Sequence, residues 1–319
     1  MLLSTHRRKK RFVKGVVPSV IITALLLVAL GYSQSYAAQP KQATFSSPEE
    51  AVKAMVDAMK AGNTGQLLTI FGPAGKDLFS SGDDTADREA REEFVKAYDD
   101  KNRLEPVGKR KAILHVGEDD WPWPIPIEKT GQKWRFDTKQ GRQEILARRI
   151  GGNELAVIQV CLAYVDAQRE YARQRGTGIM EYADKFISDP GKMDGLCWVQ
   201  KEGEQQSPLG PLVGYACRVS HEGAEQAGLA QPYHGYYYKI LKKQGMNAPG
   251  GAYDYVVDGR MIGGFALVAY PARYAFSGIM TFIVNQDSVV YQKDLGKNTE
   301  NLAEAMTSFD PDPTWKKVE

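Results

Sequence analysis

Histidine and cysteine are scarce, with four and three residues in a chain of 319. No C-x-x-C occurs, so neither a zinc ribbon nor a thioredoxin-type site is indicated. A zincin helix needs H-E-x-x-H to set two imidazoles on one face. Here His221 is followed by Glu222, Gly223 intrudes, and position 225 is Glu. There is no Walker loop, and the glycine pairs of NAPGGAYDYVVDGRMIGGF do not sit in a strand–GxGxxG–helix context. They read as turns, where glycine permits positive φ. Ser277 lacks the glycines of a nucleophile elbow and has no histidine near it in sequence. These absences imply no cofactor and no metal, and they lean away from an enzyme.

The formal net charge is +2, but its distribution matters more. Arg7, Arg8, Lys9, Lys10, Arg11 and Lys14 crowd the N-terminus, and no acid precedes Glu49. Without residues 1–37 the body carries 35 bases against 39 acids. A slightly acidic body has no electrostatic footprint for phosphates, which excludes nucleic acid as an expected partner.

That basic start leads into an apolar run, Val16–Leu30, and then into GYSQSYAAQP. The three parts are those of an export signal, with Ser35 and Ala37 as the small residues before a cut at Ala38. The other reading is a retained membrane anchor. A helix over this run would span roughly 22 Å, short of the ~30 Å hydrocarbon core. Either reading puts the body outside the cytoplasm, periplasmic or secreted, with the leader as the one membrane contact. Cys197 and Cys217 are then free to pair in an oxidising compartment or to stay apart, and Cys161 fits a buried hydrophobe.

Periodicity predicts the elements. SSPEEAVKAMVDAMKAGN is a helix with a capping box from Ser47 and Glu50, Pro48 at its first turn, and an apolar face of Val52, Met55, Val56 and Met59. A short helix carrying Leu67, Leu68, Ile70 and Phe71 follows, then a third over 86–98 with Ala90, Phe94 and Ala97 inward. The period then changes to two in KRKAILHV, and IPIEKTGQKWRFDT predicts a hairpin turning at Gly131. Residues 44–140 are thus expected to form one α+β domain, and 141–153 a basic helical link broken at Gly151-Gly152-Asn153. The second domain, 154–319, begins with a long helix to about Gln174, its apolar face set by Leu155, Ile158, Leu162 and Val165. Strand segments YYYKIL, YDYVV, GGFALVAYP, GIMTFIVN and SVVYQKDL follow, and a closing helix over 299–309 turns Leu302, Met306 and Phe309 inward.

The order of helices, bent sheet and final W-R-F-D strand resembles the cone-shaped folds of the nuclear transport factor type. NELAVIQVCLAYVDAQREYA and the strand run GGFALVAYPARYAFSGIMTFIVNQDSVVYQKDLG resemble the helix and meander of pilin heads. The pilin processing pattern is absent, since Val16 follows Gly15 and position 20 is Val. Taken together, FSSPEEAVKAMVDAM, WRFDTKQGRQEILARRIGGNELAVIQVC, NAPGGAYDYVVDGRMIGGFALVAYPA and FDPDPTWKKV closely resemble the exported bacterial domain-of-unknown-function family 2950. That resemblance covers residues 44–319 and implies export and a shared fold, with no catalytic residues to carry over.

The candidate positions follow. A pocket in the N-terminal cone would draw on His115, Trp134 and Asp137. Aromatics beside His234 in PYHGYYYKI, Tyr236 among them, could line a second pocket, or His234 could simply pack on the core. WPWPIP sets Trp121 and Trp123 among three prolines, as a structural lid or a binding lip. Asp310 and Asp312 read as a solvated turn, with weak calcium binding as the alternative. The expected role is protein interaction with an envelope partner, and the alternative is a small molecule or a reaction in the cone.

Overall fold

Ser47 opens the first helix. Its backbone is extended and its side chain accepts from Glu50 N, so that α1 runs Pro48–Lys60. The Glu50 carboxylate turns back to Ser46 N at 2.8 Å, one residue earlier than a capping box would place it. The computed structural model describes residues 41–79, 84–175, 178–198, 206–209 and 232–319. The leader to Ala37, its His6, and also Cys217 and His221 lie outside the described residues.

Val52, Met55, Val56 and Met59 are buried along α1, as their spacing predicts. Asn63 caps α2, Thr64–Phe71, which buries Leu67, Ile70 and Phe71. The short α3, Lys76–Phe79, and then α4, Asp84–Asp100, lead into an antiparallel sheet. Its strands are β1 Asn102–Val107, β2 Lys111–Val116, β3 Trp121–Pro122, β4 Ile127–Thr130 and β5 Lys133–Phe136. The order is β1-β2-β4-β5, with β3 also paired to β2. Strand β1 gave no sequence signal because NRLEPV is mostly exposed and carries a proline. Ala112, Leu114 and Val116 alternate inward along β2. Val52, Met55, Leu67, Phe71, Leu114, Ile125 and Phe136 fill the inside of this layer, each at 3% exposure or less. These side chains pack together as one cluster on the inner face of the sheet.

Next comes α5, Thr138–Arg175, a single helix of 38 residues. It runs unbroken through Gly151-Gly152, where a break was expected. Both flanks are anchored, so the cost of about 1 kcal/mol per glycine relative to alanine is outweighed. Arg148 donates to Pro122 O at 2.7 Å on one side of the pair. Asn153 donates to Ser277 O at 2.8 Å, and Glu154 accepts from Ile279 N and Met280 N, on the other. The buried face overlaps the expected one, with Val165 buried and Ile158 and Leu162 half-buried against the core. Val157, Cys161, Tyr164, Val165, Gln168 and Tyr171 are buried, whereas Leu155 is 68% exposed. A polar seam lines the most buried face: Gln168 bonds Tyr164 Oη and both backbone groups of Ala183, and Tyr164 Oη donates to Ala266 O.

The second sheet joins β6 Tyr236–Leu241, β11 Ala266–Pro271, β12 Met280–Asn285, β13 Tyr291–Asp294 and β14 Lys316–Lys317 in the antiparallel order β14-β13-β12-β11-β6. Between β6 and β11 lie the two-residue strands β7 Lys243–Gln244, β8 Tyr253–Asp254, β9 Val256–Val257 and β10 Arg260–Met261. YDYVV is thus divided between two small ladders instead of forming one strand. The last helix, α6, covers only Thr299–Ala305, and Leu302 is 46% exposed. Phe309 lies past its end and is fully buried because its backbone pairs with Lys243 and Gly245. The fold is α+β, with a long helix packed on an antiparallel meander. Among the described residues no helix is long and apolar enough to cross a membrane.

Candidate functional site

The structure does not gather the expected site residues. His115 lies on the outward face of β2, between the buried Leu114 and Val116. Its Nδ1 is 2.9 Å from Asp120 O and 3.2 Å from Arg103 Nη2. Its Nε2 is 3.0 Å from Glu105 Oε2 without a hydrogen bond between them. Arg103 joins Asp120 to Glu105 and holds the Asp120 carboxyl below its usual range. Trp134 is half-buried on β5, exchanging backbone hydrogen bonds with Phe45 at 2.8 Å each way, with Lys129 over its ring. Asp137 caps α5, its carboxylate accepting from Gln140 N at 2.9 Å.

The other two belong to the second sheet. His234 is exposed in a turn at φ 49°, its ring against Tyr233. Tyr236 is fully buried and donates to Met280 O at 2.9 Å, and burial pushes its hydroxyl pKa well up. Ser277 Oγ accepts from Arg273 N and donates to Arg273 O, which makes it a turn serine. Asp310 holds the backbone and side chain of Asn247, and Asp312 holds Thr314 N. Among the described residues no group of three or more His, Cys, Asp or Glu is placed to hold a metal ion. Cys161 is free and buried, and Cys197 is disulfide-bonded.

A different constellation is assembled at the rim of the first sheet. Pro122 and Pro124 force Trp121 and Trp123 toward extended backbone. Residues two apart on an extended segment project to the same side. Both indoles accordingly turn toward α4, with ring centroids 6.1 Å apart, edge to face. From α4, the Phe94 ring meets Trp123 at 4.5 Å. Ala90, Phe94 and Ala97, at helical spacing, form one wall; Val116, Trp121 and Trp123 form the other. Between them lies an open cleft of about 460 Å³, with Glu93, Glu118 and Asp119 at its edge. Trp121 is 44% exposed. Among the described residues the buried Trp123 indole N–H has no acceptor, an arrangement that costs about 1–3 kcal/mol.

Of these residues the sequence pointed to the two tryptophans alone. Ala90 and Phe94 were expected to face inward, yet Ala90 is exposed and Phe94 half-buried. Helical spacing identifies a face but not whether the facing wall closes over it. A second cleft, about 620 Å³, lies between the end of β6, residues 254–259 and Met306–Thr307 just past α6. Its lysines are largely engaged: Lys239 donates to Ala303 O and Glu304 O, and Lys242 pairs with Asp184 at 2.9 Å.

The family described as "Protein of unknown function (DUF2950)" matches residues 42–318. No curated protein and no solved structure matches the chain at a significant level, so the likeness to cone folds and pilin heads stays one of element order.

Proposed function

The chain belongs to the family of proteins of unknown function DUF2950, and from that premise we propose that it is an exported envelope protein that works by binding a partner, not by catalysis. The cleft between α4 and the Trp121–Trp123 segment is the binding site in this reading. One observation carries it: an open cleft of about 460 Å³ lined by the rings of Phe94, Trp121 and Trp123. Tryptophan is enriched at the centres of interfaces because it couples a large apolar face to one directed donor. Export is supported by the basic and apolar leader with its small-residue cut. A disulfide at Cys197 is in keeping with an oxidising compartment.

A photo-crosslinking residue at position 90, at the mouth of the cleft, tests the site in intact cells. Position 155 on the exposed side of α5 is the control. The expected result is a discrete adduct from position 90, none from 155, and loss of the adduct in Trp121→Ala. Equal labelling at both positions, or persistence in Trp121→Ala, would sink the cleft as the binding site. Cell fractionation of the same material tests export; recovery of the full-length chain in the cytoplasm would overturn it.

A further inference from the structure

We infer that the cleft receives a lysine or arginine side chain carried on an apolar peptide segment of a partner protein. The inference rests on the proposed role of the cleft and adds the chemistry of what fills it. The walls are hydrocarbon and aromatic, but the edge is acidic. Glu93 projects from α4, and Glu118 and Asp119 come from the turn opposite. Among the described residues neither Glu93 nor Asp119 has an ion-pair partner, and Glu118 reaches Lys101 only at 3.9 Å. Both side chains of that pair are largely exposed, so it neutralises little. By sequence α4 and the turn 117–120 hold three basic residues and ten acidic ones, of which Asp99 is paired with Lys60 and Asp120 with Arg103.

A cation fits both parts of this surface. Its charge sits among the carboxylates, and its hydrocarbon stem lies along apolar walls. Trp121 adds an exposed indole face for cation–π attraction. Arg148 already interacts with this ring in the same way, at 5.2 Å from its centroid, with its charge matched by Glu144 at 2.8 Å. An acidic occupant would meet three carboxylates, and a wholly apolar one would leave them without counter-charge. The cleft is an open trough between a helix and an extended strand, large enough for more than one side chain. A peptide segment can lie along such a trough and cover its aromatic floor, whereas a small cation would leave most of that floor in water.

The test uses the full chain labelled with ¹⁵N at its five tryptophan indoles, each assigned by replacement with Phe. It is titrated with acetyl-Leu-Arg-Leu-amide, with the Gln and Glu counterparts, and with butylamine. The expected result is movement of the Trp121 and Trp123 resonances by the Arg peptide, with about tenfold weaker binding for the Gln peptide and for the Glu93→Gln/Asp119→Asn variant. If the Gln or Glu peptide binds as tightly as the Arg peptide, charge is not read and the inference is overturned, while the cleft remains a binding site. Butylamine binding as tightly as the peptide would replace the peptide with a small cation and overturn the choice of occupant. If no probe moves either indole while crosslinking at position 90 succeeds, the cation falls and the site stands. Failure of both experiments removes the site and the inference together.

Discussion

The Arg148 guanidinium lies over the Trp121 ring, 5.2 Å from its centroid, and the same side chain donates to Pro122 O at 2.7 Å. One residue of α5 therefore both stacks the outer tryptophan of the cleft and grips the proline that orients it. Arg148→Ala removes the stacking, the hydrogen bond and the stem packing together. The expected loss is about 1–3 kcal/mol by urea unfolding, with Trp121 more open to acrylamide quenching. Arg148→Lys keeps the charge but not the planar stack, so its quenching should fall between the two. Wild-type quenching in Arg148→Ala would mean that Trp121 is held by its backbone alone.

Asp137 supplies a second expectation. Its carboxylate accepts from Gln140 N at the first turn of α5, so its part is to cap the helix that packs into the second hydrophobic cluster. Asp137→Ala should cost about 1 kcal/mol, and Asp137→Asn, which retains an acceptor, much less. Neither should change peptide binding at the cleft, which Asp137 does not line. An altered affinity in Asp137→Asn with unchanged stability would return this residue to the list of ligand contacts.

The contrast between Asp137 and Trp121 shows which features were legible in the sequence. Local signals were read well where one residue decides the structure: the Ser47 cap, the alternation in Lys111–Val116 and the Gly131 turn each depend on neighbours in sequence. Features set by distant contacts were not. On α5 the hydrogen bonds of Gln168 to Ala183 and of Tyr164 to Ala266 line the most buried face, and periodicity carries no trace of either partner. Leu155 looked like core because it is leucine at the right spacing, yet it is 68% exposed. The cleft is a similar case. WPWP was conspicuous, but its opposite wall lies on α4, and the pairing of the two is a property of the fold.

Gly151 and Gly152 separate the Arg148 anchor from the Asn153 anchor in the middle of α5. A Cβ at either position would meet no atom within 4 Å. Neither glycine is needed for close packing, and neither has positive φ. Alanine should therefore raise stability by about 0.5–1 kcal/mol at each site, through helix propensity and a less flexible unfolded chain. Gly278→Ala is the opposite case, since its Cβ would fall 2.0 Å from Tyr236 Oη in the buried sheet. Thermal unfolding of the three variants should raise the first two midpoints and lower the third sharply. A fall in Gly151→Ala or Gly152→Ala would show that the helix must bend there to reach its native packing.

Cys161 gives the pH dependence. Full burial pushes its thiol up from an ordinary 9.0 to about 12, so the folded state keeps it protonated where the unfolded chain ionises it. The unfolded state thus binds fewer protons between those values. The contribution of this group to stability is complete below pH 9 and declines as pH rises toward 12, by about 1.4 kcal/mol per pH unit. Buried tyrosines such as Tyr270, pushed up to about 12 by the same cause, act in the same direction. They are common to the wild type and Cys161→Ala, so comparison of the two isolates the thiol. The packing cost of the alanine is independent of pH. The wild type should therefore lose about 1–2 kcal/mol of its advantage over Cys161→Ala between pH 8 and pH 10.5, read by urea unfolding over reversible transitions. A constant gap across that range would mean that the thiol titrates alike in both states and that water reaches it in the folded protein. Iodoacetamide labelling of the native chain at pH 9.5 would then be fast, whereas a buried, protonated Cys161 is labelled only as the chain opens.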